Sequence, residues 1–175
     1  MATSDSFSRA YSNGPSFGYI GLWEYIFSDQ IEEANRWVKL MEANEPGWWP
    51  VTCGYLASIN GEKEKAEQYF SKFMDEFNKG PKHGFEGIAF GEWHIEAAMI
   101  YAYRGQNDQA YSCLDELVEM KNSLQPSVIS HLEINPMFEN IREEERFQKI
   151  LRKMQADYQA AHERVRLHLQ ETGRL

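Results

Sequence analysis

Residues 54–73 read GYLASINGEKEKAEQYFSKF, and residues 98–117 read AMIYAYRGQNDQAYSCLDEL. In both segments an apolar stretch leads to a glycine, Gly61 or Gly105, and a second stretch with apolar residues at helical spacing follows. Ala66 and Ala110 recur at the same step of 44 residues. A constant step between small residues is typical of helical hairpins that stack side by side. The pattern therefore predicts an all-α chain built from repeated hairpins.

The rest of the chain extends this arrangement in both directions. We expect hairpins at about 17–43, 49–77 and 90–121, followed by a cap and a long helix at about 127–172. Asp29 stands where the other hairpins have the turn glycine, and Leu22 stands where they have a small residue. Residues 1–14 are rich in Ser, Asn and Gly, which predicts a flexible lead-in. Residues 15–175 are expected to form a single domain.

Composition and charge exclude several classes of partner. Of the 175 residues, 14% are aromatic, so a packed core is expected. The formal charge of -9 and the lack of any basic run argue against nucleic acid and against anionic membrane surfaces. No apolar run approaches the roughly 18–20 residues that cross a bilayer, and no signal peptide is recognisable. We expect a cytoplasmic protein without direct membrane insertion, or a piece of a membrane-anchored one.

The two hairpin segments also resemble a known family. The residues that carry the resemblance are Gly54, Ala57, Gly61, Ala66, Phe70 and Phe73 in one copy, and Ala98, Tyr101, Gly105, Ala110, Leu114 and Leu117 in the other. Their order is similar to that of the tetratricopeptide repeat (TPR). The family unit has about 34 residues, so the step of 44 requires about ten more, which the Gly-rich segment 78–90 supplies. The resemblance implies an α-α superhelix of about three hairpins that binds other proteins.

The C-terminal part carries a second resemblance. Its residues are Ile134-Asn135-Pro136-Met137-Phe138, Ile141-Arg142, Glu145-Arg146-Phe147 and Ile150-Leu151. They resemble the segment that closes TPR regions in bacterial signalling proteins, with Glu144-Glu145 in place of Asp-Pro. Such a segment covers the apolar side of the last hairpin. The resemblance implies that the chain is a regulatory or interaction portion of a bacterial signalling protein.

A concave groove is the first candidate binding site. In TPR folds the first helix of each hairpin lines the groove, and the corresponding residues here are Tyr19, Trp23, Ile26, Trp48, Val51, Tyr55, Ile95, Met99 and Tyr103. They are aromatic or apolar and include no Lys or Arg, so we expect the groove to bind a helix or an apolar peptide of a protein partner. The alternative is that these side chains form the core.

The long C-terminal helix is the second candidate. Its apolar stripe continues beyond the cap through Met154, Tyr158, Ala161, Val165 and Leu169. The stripe could fold along the domain, pair two chains as a homodimer, or occupy the groove in cis or from a second copy.

Catalytic chemistry is not indicated. The five histidines are dispersed, and the pairs His94/Glu96 and His131/Glu133 lie about 200° apart on a helix, the wrong geometry for joint metal ligation. Cys53 and Cys113 are expected to be reduced structural thiols. We therefore predict a scaffold that is not an enzyme and needs no metal or cofactor. The alternatives are a small helical enzyme using Glu92, His94 and Glu96, or a self-associating structural dimer module.

Overall fold

The computed structural model describes residues 16–44, 49–80, 88–120 and 126–174, and all regular structure within them is helical. The helices are α1 Ser16–Phe27, α2 Ile31–Asn44, α3 Pro50–Ile59, α4 Lys63–Asn78, α5 Ile88–Tyr103, α6 Asn107–Glu119, α7 Pro126–Ile134, the 3-10 helix Pro136–Phe138, and α8 Glu145–Glu171. The all-α prediction is thereby confirmed. The predicted lead-in at 1–14 and most of the Gly-rich connection fall outside the described residues.

Two compact units make up the chain, with the division between Asp75 and Glu76 near the end of α4. The first contains α1 to α3 and most of α4, and the second contains α5 to α8. The single domain expected over 15–175 stays a prediction. In the described ranges no helix is both long and apolar enough to cross a bilayer.

Three turns share one backbone hydrogen-bond pattern, and each joins the two helices of a hairpin. Each contains a residue of positive φ, and these are Asp29 (58°), Gly61 (79°) and Gly105 (72°). The next residue donates its N–H to a carbonyl five residues back, in the pairs Gln30 to Tyr25, Glu62 to Ala57 and Gln106 to Tyr101. This bond is typical of a helix that ends in a left-handed residue. The three hairpins can therefore be aligned residue by residue.

Asp29 gives the first hairpin the same turn as the other two. Asp is among the few residues other than Gly that enter the left-handed region, because its short polar side chain can bond locally. Leu22, the second departure of this hairpin, is buried in α1. The stacking of the hairpins into a TPR-like superhelix stays a prediction.

In the first unit, α1 packs against α2 and α3, and α3 approaches α4 closely at Gly54. A Cβ at Gly54 would lie 2.5 Å from Cε1 of Phe70 and 3.2 Å from the carbonyl oxygen of Ala66. Because real Cβ atoms do not come this near to other heavy atoms, only glycine permits this spacing. Ala66 and Phe70 are both buried on the α4 side of this contact.

In the second unit, α5 packs against α6, the 3-10 helix contacts α5, and α8 contacts α6 and α7. The Asn135 side chain accepts a hydrogen bond from the N–H of Met137 at 3.0 Å and so caps the 3-10 helix. The Arg142 guanidinium donates to three carbonyls at the end of α7, those of Leu132, Glu133 and Asn135. These bonds satisfy carbonyls that a helix end leaves without partners.

The first turn of α8 is fixed to α6 by polar contacts. Tyr111 Oη donates to Glu144 at 2.8 Å, and Arg146 Nη2 lies 2.8 Å from Asp115 Oδ2. The Arg146 guanidinium also lies over the Tyr111 ring, 4.3 Å from its centroid. Below these contacts the rings of Phe138 and Phe147 are fully buried with centroids 5.4 Å apart. The start of α8 is therefore a fixed part of the second unit.

Candidate interaction surface

Most of the predicted groove residues lie inside the protein. Five of the nine are buried, namely Trp23, Ile26, Val51, Ile95 and Met99. An open groove requires exposed side chains, so these five belong to the core, which is the alternative stated for them above. Tyr55 is half-buried and Tyr103 is exposed. Trp48 and the side chain of Tyr19 fall outside the described residues.

One position of the hairpins, just before the turn, carries an exposed side chain in all three. The residues two positions before the positive-φ residue are Phe27, Ile59 and Tyr103, with exposed fractions of 36%, 43% and 44%. We call these three residues the turn row. The residues ten and six positions before it are buried or half-buried wherever their side chains are described. A large apolar residue is thus exposed at the same place in every hairpin.

Sequence reasoning found only Tyr103 of the turn row. The predicted set contains Ile26 instead of Phe27 in the first hairpin. In the second hairpin its residues lie one helical turn before the matching positions, so Ile59 is not among them. The spacing from Asp29 and Gly61 could have identified both residues, because Tyr103 stands at the same distance from Gly105.

In the first unit the turn row belongs to a cluster of aromatic rings. Trp23 stacks on Phe27 with ring centroids 5.4 Å apart and lies 5.8 Å from the Tyr55 ring. Trp23 is buried beneath these two rings. Ile59 follows Tyr55 by one turn of α3, so it shares that face. We call Trp23, Phe27, Tyr55 and Ile59 the aromatic patch.

The charged residues closest along the chain to the exposed residues of this patch are acidic. Within three positions of Phe27 or Ile59 along the chain, the charged residues are Glu24, Asp29 and Glu62, and all three are exposed. Residues 1–75 as a whole contain eleven Asp and Glu against six Lys and Arg. A partner with Lys or Arg beside its apolar side chains would therefore be attracted to this surface.

The second exposed surface is the part of α8 that follows Met154, residues 155–171, which we call the outer half of α8. Met154 is buried with Phe147, Ile150 and Leu151, so it belongs to the core and not to the self-association surface predicted for it. Tyr158, Ala161 and Leu169 are half-buried, and Val165 is 58% exposed. The apolar stripe thus continues after burial stops.

Within the described residues, His94 of the enzyme alternative contacts two residues that the alternative does not include. His94 Nε2 lies 3.1 Å from Oε2 of Glu116, and the His94 ring packs edge-on against Phe77. Glu96 is buried, whereas the side chain of Glu92 is outside the described residues. Within the described ranges, no group of three or more His, Cys, Asp and Glu residues could hold a metal ion.

Both cysteines are poor nucleophiles at neutral pH. Burial raises the pKa of the Cys53 thiol to about 12 and that of the Cys113 thiol to about 11. The reactive form of cysteine is the thiolate, so each of these side chains acts as a small apolar residue.

His131 couples the stability of the second unit to pH. Burial lowers the pKa of the His131 imidazole from 6.5 to about 4, and its Nδ1 lies 3.0 Å from the Asn135 amide nitrogen. The unfolded chain therefore binds a proton at higher pH than the folded chain does. Stability is lost as pH falls below 6.5 toward 4, and we expect His131 to account for about 2 kcal/mol of the loss between pH 7 and pH 5.

Urea unfolding at several pH values measures this effect. His131→Gln retains an acceptor for the Asn135 amide but cannot titrate, so its stability should fall less over the same pH range. His168→Gln is the control, because His168 is exposed near the end of α8 whereas His131 is buried. This variant should keep the wild-type dependence of the unfolding free energy on pH. Equal slopes for His131→Gln and wild type would contradict the prediction.

No protein-family model matches this chain, and neither a curated protein nor a solved structure gives a significant match.

Proposed function

We propose that the chain is a non-catalytic protein-interaction scaffold whose aromatic patch binds a basic amphipathic helix or a basic apolar peptide. The observation that carries the proposal is the aromatic patch of the first unit, in which Phe27 and Ile59 are exposed and the rings of Phe27 and Tyr55 contact the buried Trp23. A contiguous exposed apolar patch is characteristic of an interaction site. The capping segment's resemblance to those of bacterial signalling proteins suggests a regulatory role for such binding.

The architecture of the patch supports this function in two ways. Trp23 is buried and its ring contacts those of Phe27 and Tyr55, so these two side chains are held in place before a partner binds. Preorganised aromatic side chains give binding energy at low entropic cost. The exposed Glu24 and Asp29, which lie near Phe27 along the chain, favour Lys and Arg on the partner over acidic side chains.

Two synthetic peptides of about 18 residues test the proposal. Both have the same Leu stripe, one with Lys and the other with Glu on its polar face. We expect the Lys peptide to bind more tightly in fluorescence anisotropy, because its charges complement those of Glu24 and Asp29. Phe27→Ser and Ile59→Ser should each weaken its binding by about tenfold, the loss of roughly one good apolar contact.

Leu40→Ser is the matched control, because Leu40 is an exposed apolar residue of α2 outside the aromatic patch. Its binding should remain within about twofold of wild type. Circular dichroism should show that all three variants keep their helix content. Binding that survives Phe27→Ser and vanishes at high salt would come from net charge alone, and it would overturn the proposal, as would equal binding of the two peptides.

A further inference from the structure

The outer half of α8 carries a stripe that nothing else in the described part of the chain buries. Along one face of the helix, the buried Phe147, Ile150, Leu151 and Met154 are followed by Tyr158, Ala161, Val165 and Leu169. From residue 155 to residue 174 every described side chain is exposed or half-buried. An apolar stripe of this length is typical of a helix face that packs against another surface.

The charge of this segment favours a second copy as the cover. Residues 155–174 contain three Asp and Glu and three Arg, so their net charge is zero, whereas the whole chain carries -9. Two copies that meet through their outer α8 segments bring together surfaces without net charge, although the protein as a whole is acidic.

One pair of charges defines an orientation. Arg164 and Glu171 are exposed and lie seven residues apart, so they stand on the same flank of the stripe about two turns from each other. In the described chain neither forms an ion pair, whereas Arg166 binds Glu163 within the helix at 2.6 Å. In an antiparallel pair of helices, the same flanks of the two copies face each other.

We propose that the outer halves of α8 from two copies pair antiparallel about a two-fold axis between residues 167 and 168. Arg164 then faces the partner's Glu171, and the symmetry repeats the contact, so each dimer has two such pairs. Ala161, Val165 and Leu169 form the seam. The overlap ends near residue 161, because in this register residue 161 faces residue 174 of the partner copy, which lies just beyond the end of α8 at Glu171. This surface involves α8 alone and is independent of the aromatic patch.

Charge exchange tests the pairing in the full chain. We expect analytical ultracentrifugation to show a reversible dimer of the wild type at micromolar to submillimolar concentration. Arg164→Glu and Glu171→Arg should each weaken the dimer at least tenfold, because each places like charges in contact twice. The double variant Arg164→Glu/Glu171→Arg should restore the dimer to within about threefold of wild type, because the opposite charges face each other again.

Two further variants examine the stripe itself. Val165→Glu should abolish the dimer. Leu167→Glu is the control, since Leu167 is exposed on the opposite side of α8, and it should leave the dimer unchanged. A monomeric wild type would overturn the proposal, as would an equal effect of the two glutamate substitutions. A dimer that Val165→Glu destroys, but that the charge exchange does not restore, would overturn the antiparallel arrangement.

Discussion

Phe147→Ala is expected to lower the free energy of unfolding by about 3–5 kcal/mol, because it leaves a cavity beside Phe138 in the core of the second unit. Both rings are completely buried, with centroids 5.4 Å apart. Phe147 also belongs to the first turns of α8, which Glu144 and Arg146 attach to α6. For cooperative unfolding of the whole 175-residue chain, this loss corresponds to a fall in melting temperature of about 10 °C. Urea unfolding followed by circular dichroism measures it.

The control for Phe147→Ala lies on the same helix. Leu167→Ala removes a similar apolar group from an exposed position of α8 and should change stability by less than about 0.5 kcal/mol. If Phe147→Ala costs less than about 1 kcal/mol, the capping segment is not a cooperative part of the core. That result would contradict the packing described for α8.

The amphipathic helices were predictable from the sequence, and the apolar ones only in part. In α4 the residues Ala66, Phe70 and Phe73 are buried as their helical spacing predicts, and charged residues occupy the other side. By contrast, α1, α3 and α5 are apolar on nearly every side. Periodicity cannot show which face of such a helix is exposed, because no polar face marks the solvent. For this reason the prediction of a groove at Ile95 and Met99 is wrong, and both residues lie in the core.

The position of the exposed row depends on backbone conformation, which the sequence indicates only where glycine marks it. Gly61 and Gly105 identify their turns directly, since glycine adopts positive φ without strain. Asp29 adopts the same conformation without that signal, so the sequence does not mark this turn, and Phe27 is not among the predicted residues. The extent of the stripe on α8 was readable from spacing alone. The end of its burial after Met154 was not, because it depends on where α6 and α7 stop covering the helix.

Gly54→Leu is expected to be among the most damaging substitutions in the first unit, with a loss of about 3 kcal/mol or more. Even a single added carbon would lie 2.5 Å from Phe70 Cε1, and Phe70 is buried, so its ring has no free space to enter. Gly54→Ala should cost about 1–3 kcal/mol for the same reason. Thermal and urea unfolding measure both losses, with Ser58→Ala on the same helix as a control of small effect.

The aligned hairpins suggest how the Gly54→Ala loss can be reversed. The positions of Gly54 and Phe70 correspond to Ala98 and Leu114 in the third hairpin, where a larger residue on the first helix accompanies a smaller one on the second. In the first hairpin they correspond to Leu22 and Val38, which continue the trend. We therefore expect the double variant Gly54→Ala/Phe70→Leu to lose less unfolding free energy than the two single variants lose together. The difference should be at least about 1 kcal/mol. Strict additivity would show that the two side chains do not share one space, and the size exchange among the hairpins would then have no packing basis.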